Sequence, residues 1–179
     1  AMVGNFDTGQ KSLAATGEDT LQITMAWKVC TCNVLTLREN EGKRAHDGML
    51  ITGRTQTLQK QLMDQGVVLF GIQEARSSRG SSCGEDWGRI RSGCSPKTGL
   101  GCELWYGRQT PYAVVHSGPK PKEVCFKKED FTVMHQDERR LLVAIRTPYL
   151  HVDVYVGHSP HSGNSAACLD DWWKHSMQI

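Results

Sequence analysis

GVVLFGIQEARSSRG, residues 66–80, decides how this chain is read. Val67 to Phe70 are consecutive apolar residues, Gly71 and Ile72 continue them, and the run then breaks into Gln73, Glu74 and Arg76. A short unbroken apolar run between turn-forming residues is the pattern of a strand covered on both faces. Such a strand has no solvent face for polar chemistry, so Gln73, Glu74 and Arg76 are expected to emerge at its C-terminal end.

Working upstream, GRTQTLQKQLMDQG (53–66) reads as a helix, with Leu58 and Leu62 one turn apart and Gly66 as its stop signal. Before it, AWKVCTCNVLTL (26–37) crowds β-branched and apolar residues without helical spacing, a second buried strand with Asn33 near its end, and RENEGKRAHDGMLI (38–51) is a charged loop between the two. The order strand, helix, strand is a βαβ-like unit, and it leaves open whether the two strands are neighbours. Residues 1–25 are polar and aperiodic, a loosely ordered arm ahead of a domain over 26–179.

Downstream, residues 76–101 form a long Gly/Ser-rich basic loop carrying Arg76, Arg79, Arg89 and Arg91. CELWYG, YAVVHS, FTVMH, RLLVAIRTP and HVDVYVGH follow as short strands in a mostly antiparallel meander, and NSAACLDDWWKHSMQI closes as a helix whose first turns hold Asp170 and Asp171. His135, His161 and His175 read as surface residues.

Composition bounds the rest. A chain of 179 residues suits one domain, and 39% apolar with 22% charged residues is globular. A net charge of +2 does not by itself select a nucleic-acid partner. No stretch nears the roughly 20 apolar residues that span a bilayer, and the start lacks the apolar core of a secretory signal, so a soluble chain without a membrane partner is expected. It begins at Ala1, consistent with a processed chain or a piece of a longer reading frame. Seven cysteines, with no paired C-x-x-C spacing, are expected as free thiols, with a Cys83–Cys94 disulfide as the alternative.

Three strand ends therefore carry polar groups: Asn33, Gln73 with Glu74, and His158 in VYVGHSPHSG. Taken singly, each has an ordinary structural role, as turn former, arginine partner or satisfied histidine. Ligands gather where strand ends meet, however, and this set suits phosphoester chemistry. A hard cation such as Mg²⁺ takes one or two carboxylates with water and phosphate oxygens, and histidine exchanges protons near neutrality. The clustered arginines tilt the substrate toward a nucleic-acid backbone.

TCNVLTL, GIQEAR and VGHSPH, in this order, resemble the first motifs of the endonuclease/exonuclease/phosphatase family, whose members include deoxyribonucleases, abasic-site endonucleases and the endonucleases of non-LTR retrotransposons. The resemblance runs over about residues 26–175. It implies an α/β fold with a two-layered β-sandwich flanked by helices, of the deoxyribonuclease type, and a Mg²⁺-dependent phosphodiesterase acting on DNA, with Mn²⁺ as an alternative ion. On it, Asn33 and Glu74 hold the metal, His158 serves the scissile phosphate, and Arg76 touches the backbone. Arg79 in the same loop and Arg140 in RRLLVAI join Arg76 as nucleic-acid contacts. Gln73 supports the site, and Glu103 in GCELWY falls where the family pairs a glutamate with its histidine. The family's later motifs, Gly-Asp-x-Asn and Ser-Asp-His, do not occur in these 179 residues. The expectation is a sandwich incomplete at its C-terminal side, with little activity by itself. The alternatives are an inactive fragment or nucleic-acid-binding module, and a phosphatase of sugar or lipid phosphates.

Overall fold

A computed structural model describes residues 2–6, 21–25, 27–35, 37, 53–95, 100–117, 120–161 and 163–179. Its elements in chain order are β1 (Met2–Phe6), β2 (Gln22–Met25), β3 (Trp27–Asn33), α1 (Arg54–Asp64), β4 (Val67–Gln73), β5 (Gly80–Cys83) and β6 (Trp87–Arg91). They continue with β7 (Cys102–Gly107), β8 (Ala113–His116), β9 (Lys122–Val124), β10 (Phe131–Gln136), β11 (Arg140–Arg146), β12 (His151–Gly157) and α2 (Ala166–Ser176). The chain is an α/β protein, mostly sheet, with three sheets and two helices among the described residues.

The apolar run of β4 is buried from Val67 to Ile72, as its composition requires. It lies inside a six-stranded sheet of order β1-β3-β4-β7-β6-β5. Its pairing with β3 is parallel, in register from Val29↔Leu69 to Asn33↔Gln73, and its pairing with β7 is antiparallel. The two strands of the βαβ unit are thus neighbours, which brings Asn33 and Gln73 level at one edge. A register shift at Lys28/Val29 skips Val68, a bulge that lets Val68 and Leu69 both enter the inner core.

Period-two alternation sends the side chains of this sheet to two cores. Trp27, Val29, Leu69, Leu104 and Tyr106 face inward, against Leu141, Val143, Ile145 and Val156 of the antiparallel sheet β10-β11-β12. Tyr106 stacks on Phe131 at 4.0 Å between centroids, joining the two sheets. The opposite face packs Cys30, Cys32, Phe70, Ile72 and Trp105 beneath Leu58, Leu62 and Met63 of α1. A third sheet, β2-β8-β9, brings Ile23, Met25, Ala113 and Val124 to the inner core, where Tyr112 stacks on Phe126 at 4.4 Å.

Several expectations change. Residues 1–25 are not simply a loose arm, because β1 pairs antiparallel with β3 and β2 with β8. Residues 76–101 are not a plain loop either: β5 and β6 form a hairpin that extends the main sheet, with Trp87 and Ile90 buried. Asp170 and Asp171 sit past the first turn of α2, which starts at the Ser165 cap, whose hydroxyl accepts from the Cys168 N–H at 3.3 Å. All seven cysteines are free, Cys83 and Cys94 included. The loop assigned to 38–51 lies outside the described residues. Among those described, no helix is long and apolar enough to cross a membrane.

Gly88 is required by close approach: a Cβ there would overlap the Tyr106 ring, which is buried and stacked and has nowhere to go. Gly88→Ala is expected to lower stability by about 1–3 kcal/mol, the range for overpacking a filled core, read as a lower urea midpoint.

Candidate active site

The edge where β3, β4 and β12 end carries unusual backbone. Leu35, Glu74 and Arg76 have φ of 62°, 56° and 55°, and they are the non-glycine residues with positive φ among those described. Left-handed conformation costs a side-chain-bearing residue on the order of 1–3 kcal/mol, and it persists only where surroundings enforce it. Here the enforcement is visible. The Ala75 N–H donates to the Gly101 carbonyl at 3.1 Å, Arg76 N–H to Leu100 at 3.0 Å, and Leu37 N–H to Ala75 at 2.9 Å.

The turn aims the Glu74 carboxylate at its neighbours. Asn33 Nδ2 donates to Glu74 Oε1 at 2.8 Å, while Asn33 Oδ1 accepts from the Leu35 N–H at 3.1 Å, so both ends of the carboxamide are held. His158, just past β12, places Nε2 3.3 Å from the same Oε1. Its own backbone is clamped by Arg139, whose carbonyl accepts from the His158 N–H at 2.8 Å and whose Nη1 donates to the His158 carbonyl at 3.2 Å. Glu74 and His158 keep 20% and 21% of their side chains exposed, enough for a ligand to reach both. Glu74 Oε2 has no hydrogen bond among the described residues.

Burial lowers the His158 pKa below its ordinary value; the Glu74 carboxylate opposes that shift and Arg139 adds to it. Nδ1 is buried without a hydrogen-bond partner, so the neutral tautomer that satisfies the observed contact carries its proton on Nε2, facing Glu74. Beneath lies Cys102, whose thiol is pushed up to about 12, first by burial and then by Asp137.

No family model, curated protein or solved structure matches this chain. The site therefore has to be weighed on its own geometry. That geometry brings Asn33, Glu74 and His158 together, and separates other residues expected beside them. Gln73 donates Nε2 to Thr31 Oγ1 at 2.8 Å, bracing β3 against β4 instead of contacting Glu74. Glu103 does not pair with His158. Alternation along β7 turns Cys102 toward the histidine and Glu103 to the opposite face, where it is fully buried and bonded to Ser77, Arg89 and Trp105.

The arginines divide as well. Arg140 lies 3.7 Å from Asp137 and its guanidinium sits over the Trp172 ring at 5.6 Å, so its charge is partly offset and its plane is occupied. Arg79 is exposed and reaches the Gln136 carbonyl at 3.4 Å, on the turn that leads to Arg139. Arg139 itself was not singled out by sequence; its only signal is the arginine pair opening RRLLVAI.

The donor set can be tested against the ion that the resemblance implies. Among the described residues no group of three His, Cys, Asp or Glu side chains could hold a metal. Mg²⁺ needs less than that, since it keeps several waters and binds through one or two carboxylates plus substrate phosphate. Glu74 Oε2 fits as that single protein oxygen. Asn33 turns its nitrogen toward Glu74 and its oxygen toward the Leu35 N–H, so it orients the carboxylate.

NMR titration should give His158 a midpoint below the usual value of about 6.5, and Glu74→Gln should lower it further by removing the charge that favours imidazolium. The linkage has a definite sign. A histidine with a depressed folded pKa binds fewer protons folded than unfolded, so its contribution to stability is present above about pH 6.5 and is lost as pH falls through the folded value.

Proposed function

We propose that this chain is a Mg²⁺-dependent phosphodiesterase of the deoxyribonuclease-like sandwich type, acting on a nucleic-acid backbone, with DNA as the favoured substrate. One observation carries the reading: Glu74 Oε1 joins Asn33 and His158 at an edge where strands of two sheets end, and leaves Oε2 open. A bound Mg²⁺ would supply charge neutralisation at the phosphoryl oxygens. The chain's own residues supply the rest. Asn33 fixes the carboxylate. His158, whose pKa is lowered by burial, holds its Nε2 against Glu74 Oε1 and would pass that hydrogen bond to a phosphoryl oxygen, and the approach of that anion raises its proton affinity as substrate binds. Arg76 and Arg79 lie on the segment that continues from Glu74, and in this reading they would meet the flanking phosphates.

A specific observation favours a second reading. With one carboxylate in the cluster and no three-ligand group among the described residues, the fold also suits a nucleic-acid-binding module without hydrolysis. Nicking of supercoiled DNA, measured with Mg²⁺, with Mn²⁺ and with chelator, separates the two. The expected result is slow, chelator-sensitive nicking that falls to background in Glu74→Ala and by about 10²-fold in His158→Ala. Salt-sensitive binding without nicking would favour the module, and phosphate release from small esters without nicking would favour a sugar or lipid phosphatase. Either result rejects the nuclease.

Binding itself should be independent of sequence and weaken with salt. Arg79→Ala is expected to reduce the slope of log affinity against log salt by about 1, as for one lost phosphate contact, in a fluorescence titration of labelled duplex.

A further inference from the structure

We propose that Glu103, buried on the far face of the sheet, is a positioning residue for the site: through Ser77 it fixes the turn that aims the Glu74 carboxylate. The inference rests on the reading of Glu74 as the working carboxylate. A fully buried carboxylate survives only if its oxygens are met by donors, and every donor here is identifiable. Oε2 accepts from Trp105 Nε1 at 2.6 Å and from Arg89 Nη2 and Nε at 3.0 and 3.3 Å, and the Arg89 guanidinium lies over the Trp105 ring at 4.7 Å. Those partners belong to β6 and β7, so they hold Glu103 rigidly in the sheet.

Oε1 does something else. It accepts from the Ser77 hydroxyl, the one partner outside the sheet strands. Ser77 directly follows Arg76 and stands three residues after Glu74, so it anchors the far side of a turn in which both residues are left-handed. The near side is held by backbone bonds to Leu100 and Gly101, the two residues that lead into β7. Clamped at both ends by one strand, the turn keeps a conformation it would otherwise relax, and the carboxylate keeps its bond to Asn33.

A purely structural ion pair between β6 and β7 would account for Arg89 and Trp105, but not for Ser77. Ser77→Ala isolates the difference, because it leaves the pair intact. The probe is the Asn33 side-chain amide in ¹H–¹⁵N spectra, which reports its bond to Glu74 and belongs to a residue with no contact to Ser77. Ser77→Ala should move the Asn33 Nδ2 signals toward their positions in Glu74→Ala, with the β11 amides unchanged, while Ser77→Thr should keep the wild-type positions. If the alanine variant does not fold, Ser77→Cys, a weaker donor of similar size, should give the same displacement in smaller measure. In the nicking assay, Ser77→Ala should lower kcat about tenfold with KM for DNA unchanged, and Ser77→Thr should restore it. Asn33 signals unmoved in a folded Ser77→Ala or Ser77→Cys chain would overturn the proposal. Absence of nicking by the wild-type chain would instead reject the hydrolytic reading, and the Asn33 signals would still decide the positioning.

Discussion

Strand β4 is hydrogen-bonded along both edges and covered on both faces, and the placement of the site follows from that enclosure. Polar groups can leave it only at its end. Within it lies Gly71, where a Cβ would meet Val156 Cγ2 at 3.3 Å and Thr31 Oγ1 at 3.5 Å. The missing side chain is what lets β12 lie close over β4. His158 follows Val156 by two residues and Glu74 follows Gly71 by three, so the same close approach that completes the core brings the imidazole to the carboxylate. A Cβ at 71 would press on the Val156 side chain, on the strand that carries His158 at its end.

Much of this was legible because burial writes itself into composition. The apolar run of β4, the helix after residue 53 and the short strands β7, β8, β10, β11 and β12 each form from their own residues, and each appears where the pattern puts it. Asn33, Glu74 and His158 were readable as polar groups at strand ends, although only β4 is buried along its length, and β3, expected to be buried on both faces, alternates between half-buried and exposed residues. What stayed hidden depends on partners. β1, β2, β5 and β9 are short, polar or Gly/Ser-rich, and they are strands because β3, β8 and β6 offer them edges. No local period reveals a pairing contributed by another segment.

Glu103 shows a subtler loss of legibility. It was expected to pair with the histidine and it faces away, because CELWYG is apolar on both sides and gives no sign of which alternate set points at His158. One residue of phase decides it. Cys102 faces His158, and Glu103 faces Arg89, Trp105 and Ser77. Gln73 fails the same way: adjacent to Glu74 in sequence, it bonds Thr31, because the positive φ at Glu74 turns the chain between them.

The two glutamates divide the labour that a reactive site requires. Glu103 is out of water with both oxygens engaged, one of them by two N–H groups of a stacked arginine, an arrangement that is rigid and chemically inert. Glu74 is partly exposed, has one oxygen held by Asn33 and approached by His158, and the other has no partner among the described residues. A carboxylate saturated with donors has no lone pair left for a cation, and one with no donors at all would not hold a direction. Half-satisfaction, enforced by a strained turn, meets both requirements, since the held oxygen fixes the geometry while the open one remains available. His158 carries a related asymmetry, with Nδ1 buried and Nε2 turned to Glu74. In the proposed reading Glu74 Oε2 is the acceptor that would meet a cation, while His158 Nε2–H, held against Glu74 Oε1, would pass its hydrogen bond to a phosphoryl oxygen.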